Sequence, residues 1–215
     1  MHEMLPESEA AGSAISEDTL LSKLWTQPKA TLTYILGYCP DKYLSVLFML
    51  GGIVRAVDRA SSKNQGDHFS TAAVLALAVF GGSISGWLSY SAYAWSLRVA
   101  GNWLGGRART DEFKTVLAWS LMPSIAGLLL LLPEIAILGD DLFKSTQGNT
   151  SGLETTIITL CDAGSIVLSI WSFVLLVKGT QLVQDFSAGR ALANIVLPAI
   201  VIVAPILLLI LAFAK

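Results

Sequence analysis

The stretch LCDAGSIVLSIWSFVLLVKG at residues 160–179 decides the fold class of this chain. It contains only two charged side chains, Asp162 near its start and Lys178 near its end. About 20 predominantly apolar residues in a helix cross the roughly 30 Å hydrocarbon core of a bilayer. The stretch therefore predicts a transmembrane helix.

The composition of the whole chain agrees with a membrane location. Of its 215 residues, 53% are hydrophobic and only 14% are charged, whereas about 25% of residues in soluble domains are charged. Lys and Arg (14) nearly balance Asp and Glu (16), which gives a net charge of −2. This balance excludes a basic nucleic-acid-binding protein, so we expect the lipid bilayer as a partner and no nucleic acid.

Four further apolar stretches resemble the first in length. The sequence predicts an all-α, polytopic membrane bundle of five transmembrane helices within a domain at 42–215. The predicted spans are approximately 42–58, 71–98, 113–138, 155–178 and 190–214. The first is the shortest apolar run, because Arg55 follows about a dozen apolar positions.

The distribution of cations predicts the orientation of the bundle. Nine of the 14 Lys and Arg residues fall on the side of the amino terminus, in the N-terminal segment and in the second and fourth connections. Cytoplasmic loops collect Lys and Arg. We therefore expect a cytoplasmic amino terminus and, with five spans, an external carboxyl terminus.

The region before the first span divides into two parts. Residues 1–14 are polar and acidic and contain no aromatic residue, which predicts a disordered acidic tail. Residues 15–41 contain two short amphipathic stretches that meet at Pro28. We expect this part to form a cytoplasmic interfacial segment on the bilayer surface.

Small residues in the second predicted span indicate a close helix contact. Gly81, Ser85 and Ser89 fall on one face of the helix, and Gly82 and Gly86 lie beside it. Such spacing lets another backbone approach closely. Helix packing explains the pattern without any ligand.

Asp162 is the main candidate for chemistry inside the membrane. It belongs to a polar stripe that repeats every three or four residues along one helix face. The stripe is Thr155, Thr159, Asp162, Ser165, Ser169 and Ser172. It is compatible with a path for protons or ions, in which Asp162 titrates, and with a packing seam, in which the hydroxyls bond across to a neighbouring helix. The stripe contains no second acidic residue or histidine, which favours the seam.

Signatures of enzymes are absent from the sequence. Only His2 and His68 are available as histidines, and they fall on opposite sides of the predicted membrane. The chain therefore offers no metal centre, no catalytic residues and no cofactor site. Arg107 and Arg109 lie in a short cytoplasmic loop that could bind anionic lipid or a protein partner, although fixing topology explains them equally well.

Several segments together are similar to the YIP-domain family of Ypt-interacting proteins, and most similar to its short bacterial branch. The segments are QPKAT at 27–31, FKTVLAWSLMP at 113–123, residues 160–179, and FSAGRALANIVLP at 186–198. Trp119 and Pro123 match the aromatic-serine-x-x-proline motif, and Asp162, Trp171 and Gly179 match the fourth span. The resemblance implies five spans with a cytoplasmic amino terminus.

The resemblance also implies a class of function. Eukaryotic relatives act in trafficking between the endoplasmic reticulum and the Golgi with Rab-type GTPases, and bacterial relatives have no agreed activity. We expect a non-enzymatic protein of a bacterial inner membrane, or alternatively of the endoplasmic reticulum or Golgi. It would organise membranes or recruit partners at its cytoplasmic face, with a homo-oligomer also possible. The alternative is a transporter or channel for a small solute, ion or lipid that uses the stripe around Asp162.

Overall fold

The structure is a computed structural model that describes residues 15–146, 148 and 151–213, with side chains described as far as residue 201 and at residue 204. The predicted acidic tail at 1–14 lies outside the described residues. Within the described part every regular element is helical, which confirms the all-α prediction.

The described residues form nine α-helices joined by short turns. Their bounds are α1 Leu20–Thr26, α2 Pro28–Tyr38, α3 Leu44–Ser62, α4 Thr71–Trp103, α5 Thr110–Ser120, α6 Met122–Ala126, α7 Leu131–Leu138, α8 Gly152–Gln184 and α9 Ala188–Phe213. The helices occupy the five predicted spans, with α5, α6 and α7 sharing the third.

Three helical stretches among the described residues are long and apolar enough to cross a membrane. They are α4, the Thr110–Asp141 stretch that contains α5 to α7, and α8. At 1.5 Å per residue, the 33 residues of α4 and of α8 extend about 50 Å each, which exceeds the hydrocarbon thickness. Five spans and their orientation stay a prediction.

The third stretch is helical but interrupted. Pro123 stands at the start of α6, and a 3-10 turn at Gly127–Leu130 separates α6 from α7. Proline has no backbone N–H and its ring clashes with the preceding turn. The interruption divides this stretch into a buried first half, α5, and a more exposed second half.

The main core forms around α5. Its side chains Phe113, Val116 and Trp119 are fully buried and pack with residues of α2, α3, α4 and α8. A second, smaller core lies between α3, α4, α7 and the residues that follow α7, around Val74, Leu138 and Phe143.

The two N-terminal helices pack on the bundle. Leu20 and Leu24 of α1 and Leu32 and Ile35 of α2 are buried in the main core, and α2 contacts α5 and α8. Their apolar faces therefore meet protein. Leu21 and Trp25 remain exposed, and the interfacial location of this segment stays a prediction.

Candidate functional site

The contact between α5 and α8, which we call the seam, contains several residues singled out from the sequence. Gly179 of α8 is buried against Val116 of α5. A Cβ atom added to Gly179 would lie 2.2 Å from Val116 Cγ1. Trp119 is fully buried in the same core, and Trp171 packs against it. The absence of a side chain at Gly179 therefore lets the Val116 side chain of α5 lie directly against the backbone of α8, and both tryptophans belong to the same core.

The seam continues past the proline break. Ser124, next to Pro123, donates its backbone N–H to Ser172 Oγ at 3.0 Å, and the two hydroxyls lie 2.8 Å apart. The first N–H groups of a helix lack partners within it, so Ser172 of α8 satisfies a donor at the start of α6. Pro123 thus interrupts the helix, and Ser172 holds the start of the next helix against α8.

The rest of the polar stripe does not enter the seam. Asp162 and Ser169 are exposed on the outside of the bundle and Ser165 is half-buried. Thr159 Oγ1 donates to the carbonyl of Thr155 in its own helix at 2.8 Å. Within the stripe, Ser172 therefore bonds across the seam, Ser165 is half-buried, and the other four residues are exposed.

Glu134 of α7 is an acidic neighbour of Asp162 that the sequence pattern missed. It is half-buried, and its carboxylate interacts electrostatically with Asp162. Helical periodicity relates residues of one helix only, so it could not bring α7 and α8 together.

A second group missed from the sequence lies where α4, the following loop, α8 and α9 meet. Gln184, Asn194 and Thr180 are buried there. Gln184 Oε1 accepts the backbone N–H of Ala108 at 2.9 Å. We call this group the amide junction. It attaches the loop at residues 104–109 to the end of α8.

Glycine makes room for the amide junction. A Cβ atom at Gly101 would lie 1.9 Å from Gln184 Nε2, and one at Gly106 would lie 2.0 Å from Gln184 Oε1. Asn194 is fully buried, and neither of its amide atoms has a partner among the described residues. A lone amide inside a predicted span was the signal that could have revealed this junction, since such residues are costly in a bilayer.

Arg107 and Arg109 project from the loop that the junction holds. Both are exposed, and Arg109 approaches the Asp111 carboxylate at 4.0 Å. The backbone of Arg109 is fixed, because its N–H donates to Glu112 Oε2 at 2.6 Å. The backbone of the loop is therefore held at Ala108 and Arg109, and the side chains of Arg107 and Arg109 are exposed.

The family model of the Yip1 domain matches residues 22–211. The chain belongs to the Yip1 domain family. No curated protein and no solved structure matches this chain. The match confirms the resemblance inferred from the sequence and covers most of the described helices.

The Yip1 segments quoted above meet in space. They contribute α5 and the start of α6, α8 and the start of α9, which are in mutual contact through α8. Within the described residues, no group of three or more His, Cys, Asp or Glu side chains could hold a metal ion. Of the Yip1 motif residues, Trp119, Pro123, Trp171 and Gly179 therefore contribute to packing, whereas Asp162 is exposed.

Proposed function

We propose that this Yip1 domain protein organises membranes or recruits a protein partner, without enzymatic activity, through one end of its bundle. Four elements meet at that end: α1, α2, the loop at residues 104–109 and the turn between α8 and α9. We call this end the platform. The observation that carries the proposal is that hydrogen bonds and an ion pair connect its parts, while cationic and aromatic groups on it are exposed.

Hydrogen bonds connect the parts of the platform. Thr115 Oγ1 donates to the carbonyl of Pro40 at 3.0 Å, which ties the end of the N-terminal segment to α5. Gln184 holds the loop, as described above, and Lys42 forms an ion pair with Glu17. A rigid surface loses little conformational entropy on binding.

The exposed side chains of the platform suit a protein or membrane surface. Tyr38 and Trp103 are 78% and 63% exposed, and aromatic residues are enriched at interfaces. The exposed cations at this end are Lys29, Arg98, Arg107, Arg109, Lys178 and Arg190. Such charges steer association with anionic partners.

The platform is expected on the cytoplasmic side of a five-span bundle in a bacterial inner membrane. This placement rests on the excess of cations at this end and on the bacterial character of the Yip1 resemblance. A cysteine introduced at Arg107 would then resist a membrane-impermeant thiol reagent in intact cells. A cysteine at Asp67, at the opposite end, would react.

Site-specific photocrosslinking tests the platform as a recruiting surface. A photoreactive amino acid at Tyr38 should give a discrete protein adduct in native membranes, and one at the exposed Ile166 of α8 should not. Arg107→Glu with Arg109→Glu should abolish the Tyr38 adduct. Equal protein adducts at both positions, or an adduct that ignores the charge reversal, would contradict the proposal.

A transporter or channel is the second candidate, and the proximity of Glu134 to Asp162 is the observation in its favour. Paired carboxylates inside a membrane can relay protons. The outward position of Asp162 and Ser169 weighs against this candidate, because those residues line no interior path among the described residues. Proton flux in proteoliposomes that is lost in Asp162→Asn would replace our proposal with this one.

A further inference from the structure

A groove of about 710 Å3 follows one side of the hairpin formed by α3 and α4. Residues between 52 and 65 form one wall and residues between 74 and 89 form the other. Leu77, Gly81 and Ser85 of the second wall are exposed, so the groove opens outward from the bundle. Its volume lies within the range of roughly 300–1,000 Å3 that is typical of small-molecule sites.

The α3 wall of the groove is cationic. Arg55, Arg59 and Lys63 recur every four residues and all line the groove, since residues four apart share a helix face. Asp58 is the single carboxylate among the lining residues. Three cations and one anion leave the groove with two positive charges in excess.

These three cations have no ion-pair partner among the described residues. The described residues form four ion pairs, and none involves Arg55, Arg59 or Lys63. Arg55 is held in place by neutral groups, because its Nη1 donates to Ser89 Oγ at 3.3 Å and its guanidinium lies 5.5 Å from the centre of the Tyr90 ring. The groove therefore presents an excess of positive charge that an external anion can neutralise.

Part of the other wall of the groove is apolar and belongs to a membrane helix, although Ser85 and Ser89 also line that wall. Val74, Leu77 and Ala78 line it on α4, which is one of the helices able to cross the bilayer. A Cβ atom at Gly81 would meet nothing within 4 Å, so an extended chain can lie against the helix there. A ligand of this groove should combine an anionic group with a hydrocarbon chain.

We propose that the groove binds one anionic glycerophospholipid, with its phosphate at Arg59 and Lys63 and an acyl chain along Leu77 and Gly81. The hydroxyl of Ser62 lies beside the two cations on the same wall and can donate to a phosphate oxygen. Arg55, about one helical turn before Arg59 on the same wall, adds to the positive potential. A zwitterionic lipid cancels its own phosphate charge and gains less from this wall.

Photoaffinity labelling tests the site directly. The full chain is placed in phosphatidylcholine nanodiscs that contain a phosphatidylglycerol with a diazirine in its acyl chain, and adducts are mapped by mass spectrometry. We expect adducts on the lining residues of α3 and α4. Arg59→Gln with Lys63→Gln should lower this labelling about fivefold for each charge removed.

Two variants control for charge and folding. Arg107→Gln with Arg109→Gln removes the same charge from the other end of the bundle and should leave labelling of the groove unchanged. Arg59→Lys with Lys63→Arg keeps both charges and should retain most of it. Because Arg59 and Lys63 are exposed and form no ion pair among the described residues, the glutamine variant should keep the unfolding temperature of the parent protein.

Three results would overturn the assignment. The first is equal labelling by a phosphatidylcholine probe that carries the same acyl diazirine. The second is labelling that persists in the glutamine variant. The third is displacement of the probe by millimolar inorganic phosphate, which would identify a site for free phosphate in place of a lipid.

Discussion

Glycine allows close helix contacts both at the seam and in the α3–α4 hairpin, but the space beside the two contacts differs. At the seam, Gly179 brings α8 against α5, and the space beside the contact is filled by buried side chains such as Trp119 and Leu175. In the α3–α4 hairpin, a Cβ atom at Gly52 would lie 2.1 Å from the carbonyl oxygen of Gly82 and 2.5 Å from Gly86 Cα. Beside that contact the space stays open as the cationic groove.

The difference shows that glycine lets two helices approach closely, and that the neighbouring residues determine whether the space beside the contact is filled or open. Large apolar neighbours convert a close approach into a sealed core, because dense packing gains dispersion contacts. Small and charged neighbours, as on the groove walls, leave a cleft that a ligand can fill. A stripe of glycines in a membrane helix therefore does not distinguish packing from binding until its neighbours in space are known.

Matched leucine truncations should give the largest difference in stability between the seam and the groove. Leu175→Ala at the seam removes a fully buried side chain and should cost about 2–5 kcal/mol of unfolding free energy. Leu77→Ala on the groove wall removes a side chain that is 57% exposed and should change stability by no more than about 0.5 kcal/mol. Thermal unfolding in detergent measures both. Similar losses in the two variants would show that the groove is packed in the folded protein.

The glycine contact of the hairpin should tolerate substitution poorly. Gly52→Ala forces a Cβ atom onto the backbone of α4, which cannot rotate away, and should cost about 1–3 kcal/mol. Gly81→Ala is the matched control, because a Cβ atom there meets nothing within 4 Å. The control should be neutral or slightly stabilising, since alanine favours helix more than glycine does. A neutral Gly52→Ala would mean that the two helices are separable.

A substitution at Gly179 of the seam should differ from one at Gly52, because the added Cβ atom meets a side chain and not a backbone. Gly179→Ala collides with the side chain of Val116, so the penalty can be relieved by shortening that side chain. The double variant Gly179→Ala, Val116→Ala should therefore lose less than the sum of the single losses. A double-mutant cycle measures this coupling, and additive losses would contradict the contact.

The sequence predicted the helices well because each is encoded locally. Long apolar runs placed α4 and α8, and Pro123 marks the break between α5 and α6. Of the small residues singled out in the second span, Gly82 and Gly86 do meet a neighbouring backbone, whereas Gly81 and Ser85 are exposed beside that contact. Local patterns suffice for these features because hydropathy and backbone restrictions act within one segment.

Contacts between distant segments were beyond the sequence. Nothing in the order of residues specified that Gly52 would be the partner of Gly86, that Glu134 would approach Asp162, or that Gln184 would hold Ala108. Each of these depends on how whole helices pack, and many packings satisfy the same hydropathy pattern. For the same reason the sequence did not reveal that Asp162, its most conspicuous residue, lies on the outside of the bundle.

The smallest expected effect concerns the connection at the end of the α3–α4 hairpin. Asp67 Oδ1 accepts the backbone N–H of Ser145 at 3.0 Å, and this hydrogen bond lowers the pKa of Asp67 below its ordinary value of 3.8. A group with a lowered pKa stabilises the fold above its ordinary value and loses that contribution as the pH falls through its folded pKa. The contact should therefore weaken only below about pH 4.

Hydrogen exchange can separate this local effect from the seam. Below pH 4 the amide of Ser145, corrected for its intrinsic rate, should lose protection while amides of α5 keep theirs, because the connection is exposed and the seam holds no carboxylate at its centre. Asp67→Asn should remove the pH dependence at Ser145, since an amide side chain does not titrate. If the amides of α5 and Ser145 lost protection together, the α3–α4 hairpin and the seam would unfold as one unit. The open glycine contact of the hairpin and the filled contact of the seam would then not differ in stability.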